Sequence, residues 1–184
     1  MSRTVPLRLE VIVGSVRAGR FAPVVVDWLL GRLREYDAFE VSVLDLADAD
    51  LPQDLSRTPA VEEFTRRIGA ADAFVVVTSE YNHGYPAALK TALDTVKHQW
   101  RAKPIGFVAY GGVSGGLRAV EQLRQVVAEL HMVSVRDAVG FHQARKHFDP
   151  ADGAANDAAD RMLGQLAWWA DTLRDRREQT PYPG

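Results

Sequence analysis

Apolar residues along this chain recur with two periods, and the switches between them mark the elements. Leu7 to Val13 is an apolar-rich run ending at Gly14 and predicts a first strand. A polar loop, GSVRAGR, follows. Phe21, Val25, Trp28, Leu29 and Leu33 then recur at helical spacing, which predicts a helix to about Tyr36. Phe39 to Leu46 alternates as a second strand, and a polar, proline-bearing segment follows it. Pro59 suits the first turn of a helix that holds Val61, Phe64 and Ile68. Ala73 to Val77 is apolar without relief, the pattern of a strand buried on both faces. Pro86 opens a helix through Leu89, Leu93 and Val96, and Pro104 to Tyr110 is a fourth strand. Leu117, Val120, Leu123, Val127 and Leu130 form a helical stripe. His131 to Val135 is a fifth strand, Arg136 to Asn156 reads as irregular, and a last helix carries Met162, Leu166, Trp169 and Leu173.

Strand and helix alternate five times, joined by short loops. That predicts an α/β fold with a parallel sheet, helices on both faces and right-handed crossovers. Ligands of such sheets bind at the carboxyl ends of the strands. Three specialised loops fall there: Gly14–Phe21, Ser79–Tyr85 and Gly111–Gly116.

Bulk properties narrow the function classes. A chain of 184 residues suits one domain, expected to span residues 1–184. With 22 basic and 24 acidic residues, no charge excess points to nucleic acid. Cysteine is absent, which removes disulfides and thiolate chemistry and fits a cytoplasmic setting. The N-terminal apolar run is too short and too charged for a signal segment, and no stretch is long enough to span a bilayer.

GSVRAGR leaves a strand and enters a helix, where free amides attract an anion. Ser15 adds a hydroxyl, and Arg17 and Arg20 add positive charge, so a phosphate is the expected guest. The loop is not a Walker A motif, because Arg20 and Phe21 stand where lysine and serine or threonine are needed. Nor is it the dinucleotide fingerprint, because Val16 replaces the second glycine. A surface turn with two solvated arginines is the alternative. SEYNHGYP offers two aromatic rings and backbone amides on a sharp turn. It suits a flat, hydrogen-bonding ligand or, equally, a cap on the core. GGVSGG lets a ligand lie against backbone, or serves as a flexible joint. His83 lacks a partner at a metal-ligand spacing, and His142 and His147 are poorly spaced and expected in solvent. Trp28, Trp168 and Trp169 are expected in the core or an interface.

Together GSVRAGRF, EYNHGYPAALKTALD and GGVSGG resemble the NADPH-dependent FMN reductase family, a flavodoxin-like group that includes quinone, azo-dye and chromate reductases. The resemblance runs from about Leu7 to Leu130. It implies a three-layer sandwich with a five-stranded parallel sheet in the order 2-1-3-4-5. It also implies FMN, with NADPH or NADH as hydride donor and a small-molecule electron acceptor. Ser15 and Arg17 would meet the FMN phosphate, with Arg20 and the helix-start amides of Arg20, Phe21 and Ala22 nearby. Glu80, Tyr81, Asn82 and His83 would border the ring, and Gly112, Ser114 and Gly115 its pyrimidine end. No metal and no general-base triad are required. The resemblance implies a homodimer or a dimer of dimers, in which Trp100 could border a neighbour's site. Ser79 stands where the family often has proline, and Arg20 and Ala22 where some members have serine and asparagine. A flavodoxin-like electron carrier and a phosphate-binding module without flavin are the rival readings.

Overall fold

The structure is a computed structural model that describes residues 5–184, so the first four residues of the charged N-terminal segment lie outside it. Five strands, β1 (Leu7–Val13), β2 (Phe39–Asp45), β3 (Ala73–Ser79), β4 (Pro104–Tyr110) and β5 (Val133–Phe141), form one parallel sheet. Their order is β2-β1-β3-β4-β5, as the resemblance implies. This is the flavodoxin-like arrangement.

Strand side chains alternate between faces, so each face builds its own core. Val11, Val75, Val77 and Val108 pack on α1 (Ala22–Leu33) and α6 (Gly153–Gln179). Ile12, Phe74, Val76 and Phe107 pack on α2 (Pro59–Ala70), α3 (Ala87–Thr95) and α4 (Leu117–Glu129). Every residue of β3 and β4 is buried, which explains their unbroken apolar sequences. α2 begins as its sequence predicts: Thr58 accepts from the Val61 amide and Pro59 fills the first turn. α1 is fastened to α6 by Trp28 Nε1 donating to Asn156 at 3.0 Å and by Arg32 on Asp160.

The segment expected to be irregular is ordered. β5 runs nine residues instead of stopping at Val135. Between the pairs Ile105–Ser134 and Phe107–Ala138 it carries two extra residues, a bulge that interrupts the ladder while Val135, Val139 and Phe141 keep to one face. Side chains satisfy that bulge. Arg124 donates to Val135 O at 2.7 Å and Arg136 O at 2.8 Å, and Gln165 accepts from the Asp137 amide at 3.2 Å. A one-turn helix, α5 (Ala144–His147), follows, and then α6 starts at Gly153, capped by Asp152.

One expectation for tryptophan is corrected. Trp100 is fully buried against Phe64 and Phe74, with Nε1 donating to Leu93 O at 3.2 Å, so it belongs to its own core and not to a neighbour's site. Trp168 is 62% exposed, while Trp169 packs partly against the core.

Lys103 is buried beside the start of β4 and donates to Ile68 O and Gly69 O at 2.8 and 2.9 Å, closing the C-terminal end of α2. Burial, and secondarily Arg177, push its pKa down to about 7, against a pull upward from Asp72. Between that value and the ordinary lysine value the unfolded chain holds the extra proton, so stability rises with pH across the window. Relative to Lys103→Met, the wild type should gain about 3 kcal/mol between pH 7 and 9.5 in urea denaturation. Parallel pH profiles for the two proteins would show the lysine to be solvated.

Candidate functional site

Parallel strands deliver the three specialised loops to one edge, and a fourth segment joins them. Residues of the β1–α1, β3–α3 and β4–α4 loops and of residues 143–146 line a cleft of about 470 Å³. That size suits a drug-sized ligand.

The β1–α1 loop supplies the polar end. Arg17 is exposed on the cleft and makes no ion pair among the described residues. Of the backbone amides from Val16 to Ala22, only that of Arg20 has a partner in the chain, Arg17 O at 3.1 Å, among the described residues. Unengaged amides at a helix start form an anion cradle. Arg20 lines the cleft, but its guanidinium is committed. It grips Asp45, at the end of β2, with two bonds and donates to Ser15 O at 2.6 Å. It braces the loop, and Arg17 carries the free charge. Phe21 lines the cleft, whereas Ala22 is buried beneath it.

Ser15 is wholly buried, and its hydroxyl meets Tyr81 OH at 2.8 Å, fixing that ring as a wall. Tyr81 and Gly84 exchange backbone bonds at 2.9 and 3.0 Å around Asn82 and His83. Both central residues have positive φ, 48° and 74°, the two-residue turn of a tight hairpin. Asn82 tolerates that backbone well. Neither of the two lines the cleft. Arg118 donates to His83 Nε2 at 2.6 Å, so that nitrogen accepts, and Gln122 holds His83 O at 3.1 Å.

Glu80 joins two loops. Its side chain is 4% exposed. It accepts from Ser114 Oγ at 2.6 Å, from the Arg118 amide at 3.2 Å and from Arg118 Nε at 2.7 Å. Burial pushes its pKa up, but the Ser114 hydroxyl and the Arg118 guanidinium outweigh it and hold the carboxyl below its ordinary value. Ser114 is thereby turned to Glu80 rather than to the cleft, and Gly112 and Val113 form the wall. Gly115 sits against the His142 ring, whose Nδ1 donates to Val113 O at 2.7 Å. At Gly116, φ is 89° and a Cβ would stand 2.7 Å from Ala109 Cβ, so only glycine fits.

Sequence reasoning missed the floor and one wall. The Tyr110 and Ser79 hydroxyls are buried with no partner in hydrogen-bond geometry, and both residues line the cleft. Burial pushes the Tyr110 pKa up, against the hydroxyls of Ser15 and Ser79 nearby. A tyrosine closing an apolar strand directly before GGVSGG was the available signal. Gln143, Ala144, Arg145 and Lys146 gave none, because the bulge hides the strand that positions them. Arg145 donates to Gly19 O at 2.5 Å, strapping this wall to the β1–α1 loop.

The Glu80 network yields a stability test. A carboxyl whose pKa is lowered on folding stabilises above its unfolded pKa and loses that contribution as pH falls through the folded value. Glu80→Gln should cost about 2 kcal/mol at pH 7, and the gap should close in acid below the ordinary glutamate range. Urea melts of both proteins at pH 7 and pH 3 would measure it; a constant gap would refute the charge-based account.

A family profile described as NADPH-dependent FMN reductase matches residues 7–146. The chain is 34% identical over 195 residues to the NAD(P)H-dependent FMN reductase LOT6 of Saccharomyces cerevisiae, covering 92% of this chain and 100% of that protein. It is 37% identical over 138 residues to an NAD(P)H-dependent FMN reductase of Schizosaccharomyces pombe, covering 68% of each. Among solved structures, an oxidoreductase from Corynebacterium diphtheriae aligns with a TM-score of 0.74 at 21% identity, covering 91% of this chain and 98% of that one, which supports the fold. The chain belongs to the NADPH-dependent FMN reductase family and is an oxidoreductase of that kind.

Proposed function

We propose that the cleft holds FMN and that NADPH or NADH reduces it there before a small acceptor is reduced in turn. The observation that supports this most is the composition of one cleft. An amide cradle with Arg17 lies at its polar end, a glycine wall runs along its side, and two orphaned buried hydroxyls sit in its floor. A buried hydroxyl without a partner is costly unless a ligand supplies one. The donor set fits a phosphate joined to a flat heterocycle. FMN, when bound, supplies the hydride and electron transfer.

The chain's own residues bind and orient. Arg17 and the amides at the start of α1 would hold the phosphate. Tyr81, pinned by Ser15, and the backbone of Gly111–Val113 would flank the ring, with Tyr110 and Ser79 offering hydroxyls beneath it. Glu80 acts as a positioning residue through Ser114 and Arg118. The family assignment already answers the electron-carrier reading. The proposal extends to a single domain over residues 1–184, assembly as a homodimer or dimer of dimers, a cytoplasmic setting, and acceptors such as quinones, free flavins, azo compounds or metal oxyanions. Among the described residues no helix is long and apolar enough to cross a membrane.

The direct test is oxidation of NADPH or NADH by the purified protein with a quinone, with and without added FMN. Turnover should require FMN; a protein that binds no FMN in fluorescence titration would refute the reading. Arg17→Ala should weaken FMN binding roughly tenfold to a hundredfold, the loss of one charge-assisted phosphate contact. Glu178→Ala, in the charged end of α6, should leave it unchanged.

A further inference from the structure

The charges lining the cleft do not cancel. Its charged lining residues are Arg17, Arg20, Glu80, Arg145 and Lys146. Arg20 is neutralised by Asp45, and Glu80 by Arg118. Arg145 hydrogen-bonds a neutral carbonyl, Gly19 O, so its charge persists. Lys146 is exposed, and its ammonium has no partner among the described residues. Three positive charges therefore face the cleft without a carboxylate.

A phosphate monoester carries roughly two negative charges at neutral pH. Arg17 stands on the β1–α1 loop, and Arg145 is tied to that loop at Gly19. Both thus belong with the amide cradle, and one phosphate matches their combined charge. Lys146 is left over. It sits on the strap that forms the far wall, outside the cradle, at the end of a one-turn helix held by its backbone bond to Gln143 O at 2.8 Å. A cation fixed at the rim of a site that must admit a second, anionic nucleotide can meet a phosphate of that nucleotide.

Resting on the proposed FMN cleft, we infer that Lys146 recognises the 2′-phosphate of the hydride donor and so favours NADPH over NADH. The 2′-phosphate is the one group that distinguishes the two donors. An ammonium on a flexible stem suits it as a point charge. The side chain is solvent-exposed, so its replacement leaves both cores untouched.

The test uses the FMN-loaded enzyme and Lys146→Glu. The KM for NADPH should rise roughly tenfold or more, while the KM for NADH, the kcat with either donor and the FMN Kd stay within about twofold of wild type. Inhibition by 2′,5′-ADP, compared with 5′-AMP, should lose its advantage in the variant, and Lys146→Arg should retain it. An unchanged ratio of the two KM values with FMN binding intact overturns this inference alone. A weakened FMN Kd with both KM values raised together overturns it by assigning Lys146 to the cofactor's phosphate. A wild-type chain that fails to bind FMN overturns the cleft reading as well.

Discussion

Five parallel strands cannot be joined by hairpins. Each connection must cross the sheet through a helix, and that single constraint sends all the β-to-α loops to one edge. The cost is that both faces need covering, and the chain meets it with apolar strands and five longer helices in two layers. With the core placed there, only Ser79 and Tyr110, at the ends of β3 and β4, reach the cleft from within the sheet. The edge is free to carry glycine, charge and strained backbone.

The edge pairs part of its charge internally. Asp45 takes Arg20, and Arg118 takes Glu80. These pairs run between different loops, so they fix loop against loop as well as residue against residue. A buried carboxylate without its partner would be strongly destabilising, so the geometry of the Glu80 loop and that of the Ser114 loop are held in common. The wall presented to a ligand is consequently preorganised, with few side chains left to be ordered on binding.

Periodicity in the sequence identified every strand start but one and the helix stripes, because buried strands and amphipathic helices leave strong patterns. It failed at β5 for a definite reason. Edge exposure dilutes the apolar signal, and the polar pair Arg136 and Asp137, at the bulge, interrupts it partway along. Among candidate site residues, chemistry picked out loops that line one cleft but not the directions of their side chains. Arg20, Glu80, Ser114 and His83 all carry groups suited to a ligand, yet each has a partner in the chain. Direction depends on neighbours distant in sequence, such as Asp45 and Arg118, and no local spacing encodes them. The wall at residues 143–146 was hidden for the same reason as the strand that carries it.

The bulge in β5 has a further meaning. It takes up two residues opposite one stretch of β4, and the ladder then resumes at Phe107–Ala138 and runs to Tyr110–Phe141. Because pairing is regained before the strand ends, the strap of Gln143–Lys146 leaves the sheet at a point set by β4 and not by the number of residues in the bulge. Arg124 and Gln165 bind the excess backbone where it leaves the ladder. Length variation in this strand is thereby insulated from the site: a small insertion or deletion at the bulge would be absorbed there and leave the mouth of the cleft in place.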